Sequence, residues 1–179
     1  MGKRARARRI RMILSDVDGT LTDGSLTPTP EGEEIKSFNT KDGLGVLIAQ
    51  LAGLKVGFIT GKTSKGLEQR AERLRIDELR QGVIDKRPVY EEILSRHGLR
   101  PDEVAFIGDD LNDLTVLEAS GLSAAPSDAV PFIRKRVDFR CRRRGGDGAF
   151  RELVDYILGA QKKWDQVRDR LGDLVDRKI

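Results

Sequence analysis

Short apolar runs alternate with amphipathic segments along almost the whole chain. The short runs are typical of buried strands, and the segments between them repeat apolar residues at helical spacing. Strands are predicted at residues 10–15, 54–60, 78–82, 103–107, 122–125 and 137–141. Helices are predicted at residues 43–52, 64–75, 88–97, 112–120, 129–136 and 149–158. This alternation predicts an α/β fold, in which helices cover both faces of a doubly wound, mostly parallel, Rossmann-like sheet.

Two segments depart from this alternation. Residues 21–39 hold two glycines and two prolines between short β-prone pieces, which favours a β-hairpin projecting from the sheet. Residues 161–179 return to helical spacing and predict a C-terminal helical tail, whose apolar stripe needs a partner surface. We therefore divide the chain into a basic N-terminal arm (1–9), one core domain (10–160) that includes the hairpin, and the tail.

The amino-acid composition is ordinary for a globular domain of 179 residues, with 35% charged and 38% apolar residues. No apolar run approaches the ~20 residues of a membrane-spanning helix, and the basic N-terminus does not lead into a secretory signal. The single cysteine, Cys141, cannot form an internal disulfide. A cytoplasmic protein without membrane contact is therefore expected.

The net charge of +4 is concentrated in two basic stretches, residues 3–11 and 134–144. Such clusters can bind nucleic acid. However, only 5% of the residues are aromatic, and no nucleic-acid-binding motif accompanies the clusters. The first stretch is interpreted as a solvated arm, and no nucleic-acid partner is expected.

Side chains suited to phosphate chemistry occur at four positions where strands are expected to end. They are Asp16 with Asp18, Thr60, Lys86, and Asp109 with Asp110 and Asp113. Because the carboxyl ends of parallel strands meet at one edge of a sheet, these residues should converge on one crevice. Crowded carboxylates repel one another unless a cation joins them, and Mg²⁺ prefers such oxygen ligands. Lys86 and the hydroxyl of Thr60 would then hold phosphoryl oxygens.

The order of these motifs resembles the haloacid dehalogenase superfamily of phosphohydrolases. The corresponding stretches are DVDGTLTDG, ITGKTS, QGVIDK and GDDLNDL. The resemblance implies that Asp16 is the nucleophile, forming an aspartyl-phosphate, and that Asp18 is the general acid and base. It also implies that Thr60 and Lys86 stabilise charge on the transferred phosphoryl group.

The same resemblance implies a magnesium site. Its ligands would be the Asp16 carboxylate, the Asp18 carbonyl and Asp109, with Asp110 and Asp113 as direct or supporting ligands. Asn112 would line the mouth of the site and contact the substrate.

The chain has no room for a cap domain, and it resembles one uncapped family, the 3-deoxy-D-manno-octulosonate 8-phosphate phosphatases. The likeness extends to FNTKDGLG and GGDGAFRELVDYIL. It implies a small phosphorylated sugar acid as substrate, a role in lipopolysaccharide biosynthesis, and a homotetramer in which the hairpin of one subunit helps to shape the site of the next.

Two alternatives remain at this stage. Sister phosphatases act on 2-keto-3-deoxy-nonulosonate 9-phosphate, and RRGGDGAFRE resembles that group more. Thr60 and Gly61 precede Lys62, a cation suited to the substrate carboxylate, where the eight-carbon enzymes usually have Arg and the nine-carbon enzymes an acidic residue. Lys41, a further candidate substrate contact, also replaces a usual Arg. The likeness favours the eight-carbon substrate. The other alternative is a non-catalytic assembly module of the same fold.

Overall fold

The computed structural model describes residues 2–30, 32 and 34–176. The strands are β1 (Met12–Ser15), β2 (Thr27–Pro28), β3 (Glu34–Ile35), β4 (Lys55–Ile59), β5 (Glu78–Arg80), β6 (Val104–Ile107), β7 (Leu122–Ala125) and β8 (Phe139–Arg140). The helices are α1 (Lys3–Ala7), α2 (Thr40–Leu51), α3 (Lys65–Leu74), α4 (Lys86–His97), α5 (Leu114–Ala119), α6 (Pro131–Arg134), α7 (Ala149–Gln161) and α8 (Trp164–Asp176). Short 3₁₀ helices at Pro101–Glu103 and Leu111–Asp113 precede β6 and α5.

The main sheet has six strands in the order β5-β4-β1-β6-β7-β8, and every described pair is parallel. This confirms the predicted doubly wound α/β fold. The central strand β1 is buried along its whole length, and its last residue, Ser15, is level with Phe58 on β4 and Ile107 on β6. The loops that follow these three strands therefore open at one edge of the sheet. The predicted hairpin is the separate antiparallel pair β2-β3.

Apolar side chains cover the sheet on both faces. The core on one face contains residues from α2, α3 and α7, such as Val46, Leu67 and Leu153. The core on the other face contains residues from α4, α5 and α6, such as Ile93, Val116 and Ile133. Each fully buried side chain of this size contributes about 1.5–3 kcal/mol relative to an exposed one. The two packed layers hold the strand ends, and hence the site loops, in fixed positions.

Helix α4 begins two residues earlier than the sequence pattern predicted. Asp85 is its N-cap, and the carboxylate of Asp85 accepts a hydrogen bond from the backbone N–H of Arg87 at 3.1 Å. Pro88 still lies in the first turn, where a missing N–H costs nothing. Lys86 is therefore the first residue of a helix and not a strand-end residue, which corrects the earlier interpretation.

The N-terminal basic segment folds against the domain and is not a free arm, although most of its charged side chains are exposed to solvent, as expected. Ala7 in α1 is fully buried in the core that contains α7. Arg6 pairs with Asp138 at 3.2 Å, and Arg8 Nε donates to the carbonyl of Ala160 at 3.3 Å. The charges lie on the outer side of a segment that an apolar residue anchors. Met1 lies outside the described residues.

The C-terminal tail is helical, as predicted, and it packs on its own domain. Val167 is 3% exposed, whereas Trp164 is 40% exposed. Lys163 Nζ, just before α8, donates to the carbonyl of Ala52 at 2.8 Å, and Gln166 Nε2 donates to that of Leu51 at 3.4 Å. The start of the tail thus satisfies carbonyls at the end of α2. Residues 177–179 of the predicted tail lie outside the described residues. Within the described chain, no helix combines the length and apolarity needed to cross a lipid bilayer.

Candidate active site

Asp16 immediately follows the central strand and is held in place by its backbone. Its N–H donates to the carbonyl of Ile107 on β6 at 2.9 Å, and the residue is 4% exposed. Burial, followed by the neighbouring charge of Asp113, raises the pKa of Asp16 well above its ordinary value. A carboxylate in such a position needs a cationic partner to remain ionised.

Lys86 is that partner. Its side chain is fully buried, and Nζ lies 2.5 Å from Asp16 Oδ1 and 2.6 Å from Asp113 Oδ1. Burial alone would lower the pKa of Lys86, but the two carboxylates outweigh it and raise the pKa. Lys86 therefore remains an ammonium group beside the candidate nucleophile.

The loop after β6 brings two more carboxylates to the same place. Asp113 is fully buried, and its Oδ2 accepts hydrogen bonds from the backbone N–H groups of Asp109 at 3.0 Å and Asp110 at 3.4 Å. Asp110 is exposed, and its Oδ1 caps the following 3₁₀ helix by accepting from Leu111 N at 2.7 Å. Asp110 thus shapes the loop, whereas Asp109 and Asp113 face the site.

Carboxylate oxygens of Asp16, Asp109 and Asp113 lie within 4.8 Å of one another. Burial, with the charge of Asp113 next in size, raises the pKa of Asp109 to about 6. One ammonium cannot balance three carboxylates, and a hard divalent cation with oxygen ligands would. Both oxygens of Asp113 already accept hydrogen bonds, so Asp16 and Asp109 are the carboxylates best placed to ligate, with Asp113 supporting them.

Backbone glycines make this close approach possible. Gly19 adopts φ +88°, and a Cβ atom there would lie 2.2 Å from Asp109 Oδ2. A Cβ atom on Gly145 would lie 1.9 Å from the carbonyl oxygen of Gly19. The Gly-rich loop before α7 therefore packs directly against the loop that follows β1.

Substitution of Gly19 by Ala should displace the Asp109 carboxylate. We expect kcat/KM to fall by about 100-fold, the usual effect of a misplacement of about 1 Å. The magnesium-induced rise in Tm should shrink in parallel. Gly53→Ala is a matched control, because Gly53 has a similar φ of +79° with open space around the added Cβ. If Gly19→Ala keeps both parental kcat/KM and the magnesium response, this account of the site is wrong.

Asp18 and Thr60 lie on the side of the site that faces the hairpin. Thr60 follows β4 and is 1% exposed, and its hydroxyl donates to Asp18 Oδ2 at 3.5 Å. Asp18 Oδ1 accepts a hydrogen bond from Lys36 Nζ. The predicted proton-transfer residue and the predicted phosphoryl ligand are thus neighbours.

The remaining candidate substrate contacts lie at three separate places. Gly61 and Lys62 line a cavity of 630 Å³ that also contacts the hairpin, and Lys62 Nζ pairs with Glu34 Oε1 at 2.8 Å. Asn112 is exposed on the 3₁₀ helix next to Asp113. Lys41 lines another cavity, of 570 Å³, and no described hydrogen bond or ion pair links it to the carboxylate cluster. The structure does not bring Lys41 together with the other candidates.

Two residues at the site were missed in the sequence. Thr20 Oγ1 donates to Asp109 Oδ1 at 3.4 Å, and Thr20 is part of the Asp-x-Asp-Gly-Thr motif, so a signal was present. Lys36 offered no comparable signal, because it lies in the irregular hairpin outside the quoted motifs. The contact between Lys36 and Asp18 depends on how that hairpin folds back.

This fold and site define a phosphohydrolase of the haloacid dehalogenase type. The defining features are a parallel sheet, a buried aspartate after its central strand, and a lysine that pairs with that aspartate. A sequence model of haloacid dehalogenase-like hydrolases matches residues 78–153. The 3-deoxy-D-manno-octulosonate 8-phosphate phosphatase of Escherichia coli K12 is 41% identical over 164 residues, which cover 92% of this chain and 87% of that protein. The chain belongs to the 3-deoxy-D-manno-octulosonate 8-phosphate phosphatase family of haloacid dehalogenase-like hydrolases.

Solved structures agree with this assignment. The phosphatase of that name from Yersinia pestis has a TM-score of 0.89 and 42% identity, covering 91% of this chain and 88% of its own. The Moraxella catarrhalis phosphatase, solved with a magnesium ion, a phosphate ion and a KDO molecule, has a TM-score of 0.90 and 32% identity, covering 94% and 97%.

Proposed function

We propose that this protein is a magnesium-dependent phosphatase that hydrolyses 3-deoxy-D-manno-octulosonate 8-phosphate through an aspartyl-phosphate on Asp16. The observation that carries the proposal is the buried Asp16 carboxylate bonded to Lys86 at 2.5 Å, beside Asp109 at the carboxyl edge of the sheet. The substrate comes from the relatives, two of which bear that name and match most of this chain. Such an enzyme would act in the cytoplasm, in lipopolysaccharide biosynthesis.

Magnesium fits the donor set because the converging groups are carboxylate oxygens. Asp16 and Asp109 would hold it by their side chains and Asp18 by its carbonyl, with Asp113 behind them. When bound, the ion supplies positive charge that offsets both the carboxylate repulsion and the charge of the phosphoryl group. The magnesium in the Moraxella catarrhalis structure supports this choice.

In the first step, a carboxylate oxygen of Asp16 attacks phosphorus, and the bond from phosphorus to the bridging oxygen breaks. The electron pair of that bond stays on the sugar oxygen, which receives a proton from Asp18. Lys86 and the hydroxyl of Thr60 donate to the equatorial phosphoryl oxygens, where they stabilise the charge of the transition state. The sugar acid then leaves with its hydroxyl restored.

In the second step, Asp18 removes a proton from a water molecule that attacks the phosphorus of the aspartyl-phosphate. The bond from phosphorus to the Asp16 oxygen breaks, inorganic phosphate leaves, and the Asp16 carboxylate is regenerated. The same carboxyl group therefore serves first as acid and then as base.

The proposed contacts with the sugar acid lie beside the hairpin. Lys62 would pair with the substrate carboxylate in place of its present partner, Glu34. The backbone of Gly61 and the side chain of Asn112 would provide the other contacts at the mouth of the site. Lys41 is not part of this set, because it lines a different cavity.

A homotetramer is proposed as the working assembly, with each hairpin adjoining the site of a neighbouring subunit. The hairpin and the site loops expose apolar side chains that favour such contact: Leu26 and Ile35 at 57%, Ile84 at 91% and Leu111 at 57%.

Measuring phosphate release from the eight-carbon and nine-carbon sugar acid phosphates tests the substrate assignment. We expect magnesium-dependent turnover, lost on chelation, with kcat/KM at least about tenfold higher for the eight-carbon ester, which corresponds to about 1.4 kcal/mol of discrimination. A higher value for the nine-carbon ester would transfer the assignment to that sister group. If neither ester is hydrolysed, the phosphatase proposal fails and the non-catalytic assembly module becomes the favoured alternative.

A further inference from the structure

Lys36 lies on the hairpin, directly after β3, but its side chain turns inward. That side chain is 4% exposed, whereas the neighbouring Ile35 is 57% exposed. Its ammonium group donates to Asp18 Oδ1, and Glu34 Oε2 is 3.9 Å away. A buried ammonium is costly without a counter-charge, so the pairing with Asp18 explains why the hairpin folds back onto the site.

The two oxygens of the Asp18 carboxyl group have different surroundings. Oδ1 is bonded to Lys36, and Oδ2 faces the hydroxyl of Thr60 at 3.5 Å. Thr60 is a phosphoryl ligand in the proposed mechanism, so Oδ2 is the oxygen directed towards the phosphoryl group.

We infer that Lys36 is a positioning residue for phosphoryl transfer, whose ammonium holds Asp18 Oδ1 so that Oδ2 meets the leaving oxygen. The inference rests on the proposed function, in which Asp18 is the proton donor. The proton moves from Oδ2 to the bridging oxygen while the bond from phosphorus to that oxygen breaks and Asp16 forms the new bond. The carboxyl group could otherwise rotate about its Cβ–Cγ bond, and a proton donor helps only when it is within hydrogen-bond reach.

A merely structural role for Lys36 would affect all phosphate esters equally. The hairpin is also tied to the site by the Glu34–Lys62 pair at 2.8 Å, so loss of Lys36 could in principle loosen substrate binding in general. That effect would be the same for every phosphate ester. In the first step, positioning of the proton donor matters only when the leaving group needs the proton. The second step uses Asp18 as a base on the same aspartyl-phosphate for every ester, so the rate of the first step alone separates the two roles.

The test compares two esters in Lys36→Met, Lys36→Arg and the parent. The sugar acid phosphate has a strongly basic alkoxide leaving group, whereas p-nitrophenyl phosphate releases a weakly basic phenolate that needs little protonation. The measured quantity is the rate of leaving-group release in a single turnover, which reports the first step alone. With the sugar ester, this rate should fall by about 100-fold in Lys36→Met, at the lower end of the usual range for general acid catalysis. With p-nitrophenyl phosphate, it should change by less than about threefold, and Lys36→Arg should recover part of the loss with the sugar ester.

Lys55→Met is the matched control, since Lys55 is a half-exposed lysine paired with Asp77 at the opposite end of β4. It should keep the parental rate of leaving-group release with both esters. An equal loss on both esters in Lys36→Met, or no loss on either, overturns the inference while the parent's activity leaves the proposed function intact. If the parent itself hydrolyses neither ester, the proposed function has failed instead. Thermal unfolding of each variant verifies that the chain is folded.

Discussion

Asp16→Asn should lower kcat by at least about 10⁴-fold, because a neutral amide cannot replace the carboxylate that attacks phosphorus. The substitution keeps the size of the side chain and removes one of three crowded carboxylates, so the variant should fold. Two measurements check it: phosphate release, and mass analysis of acid-quenched protein during turnover. The parent should show an added phosphoryl group, and the variant should not.

Asp23→Asn is a suitable companion to Asp16→Asn. Asp23 belongs to the same DVDGTLTDG stretch, but it is exposed and accepts a hydrogen bond from Ser25 N at 2.9 Å, which an asparagine oxygen can also accept. Its kcat should stay close to that of the parent. Parental turnover by Asp16→Asn would remove Asp16 from the chemistry and, with it, the reaction sequence proposed above.

Lys86→Met should damage both catalysis and folding. The substitution leaves Asp16 and Asp113 buried without their shared ammonium, and removal of one partner from a buried pair typically costs about 3–5 kcal/mol. We expect kcat to fall by about 10³-fold through loss of a donor to the phosphoryl group. The free energy of unfolding, measured with urea in the absence of magnesium, should fall by several kcal/mol in line with that pair cost.

Magnesium distinguishes this loss from general misfolding. Without Lys86 the carboxylate cluster is more negative, so magnesium should raise the Tm of Lys86→Met by more than it raises that of the parent. At 100 times its Kd a ligand stabilises by about 2.7 kcal/mol, enough to shift Tm measurably. A variant that is as stable as the parent without magnesium, or that gains nothing from it, would contradict the assigned role of Lys86.

Much of the fold could be predicted because its signals are local. Each strand of the main sheet lies within a predicted apolar run, and β7 matches residues 122–125 in full. The Asp-x-Asp-Gly-Thr motif after β1 and the Gly-Asp-Asp motif after β6 could be assigned to one crevice, since neighbouring parallel strands open at the same edge.

What could not be predicted depends on partners that are distant in sequence. Asp113 is separated from Lys86 by 27 positions. Only the fold shows that both carboxylate oxygens of Asp113 already accept hydrogen bonds, so that Asp113 supports Asp109. The charges of residues 3–11 suggested a free, solvated arm. The packing of this segment could not be predicted, because the surface on α7 that receives Ala7 is not visible in the local sequence. Lys36 was missed for the same reason, as its partner is reached only through the return of the hairpin.

The segment before β1 and the end of α7 meet at the edge of the sheet opposite the chemistry. Gln161, at the end of α7, donates to the carbonyls of Ala7 at 3.0 Å and Ile10 at 2.7 Å, just before β1 begins. Asp16 lies at the other end of β1. An affinity tag or a surface tether joined ahead of α1 would therefore leave the catalytic mouth open, which makes this enzyme well suited to immobilisation.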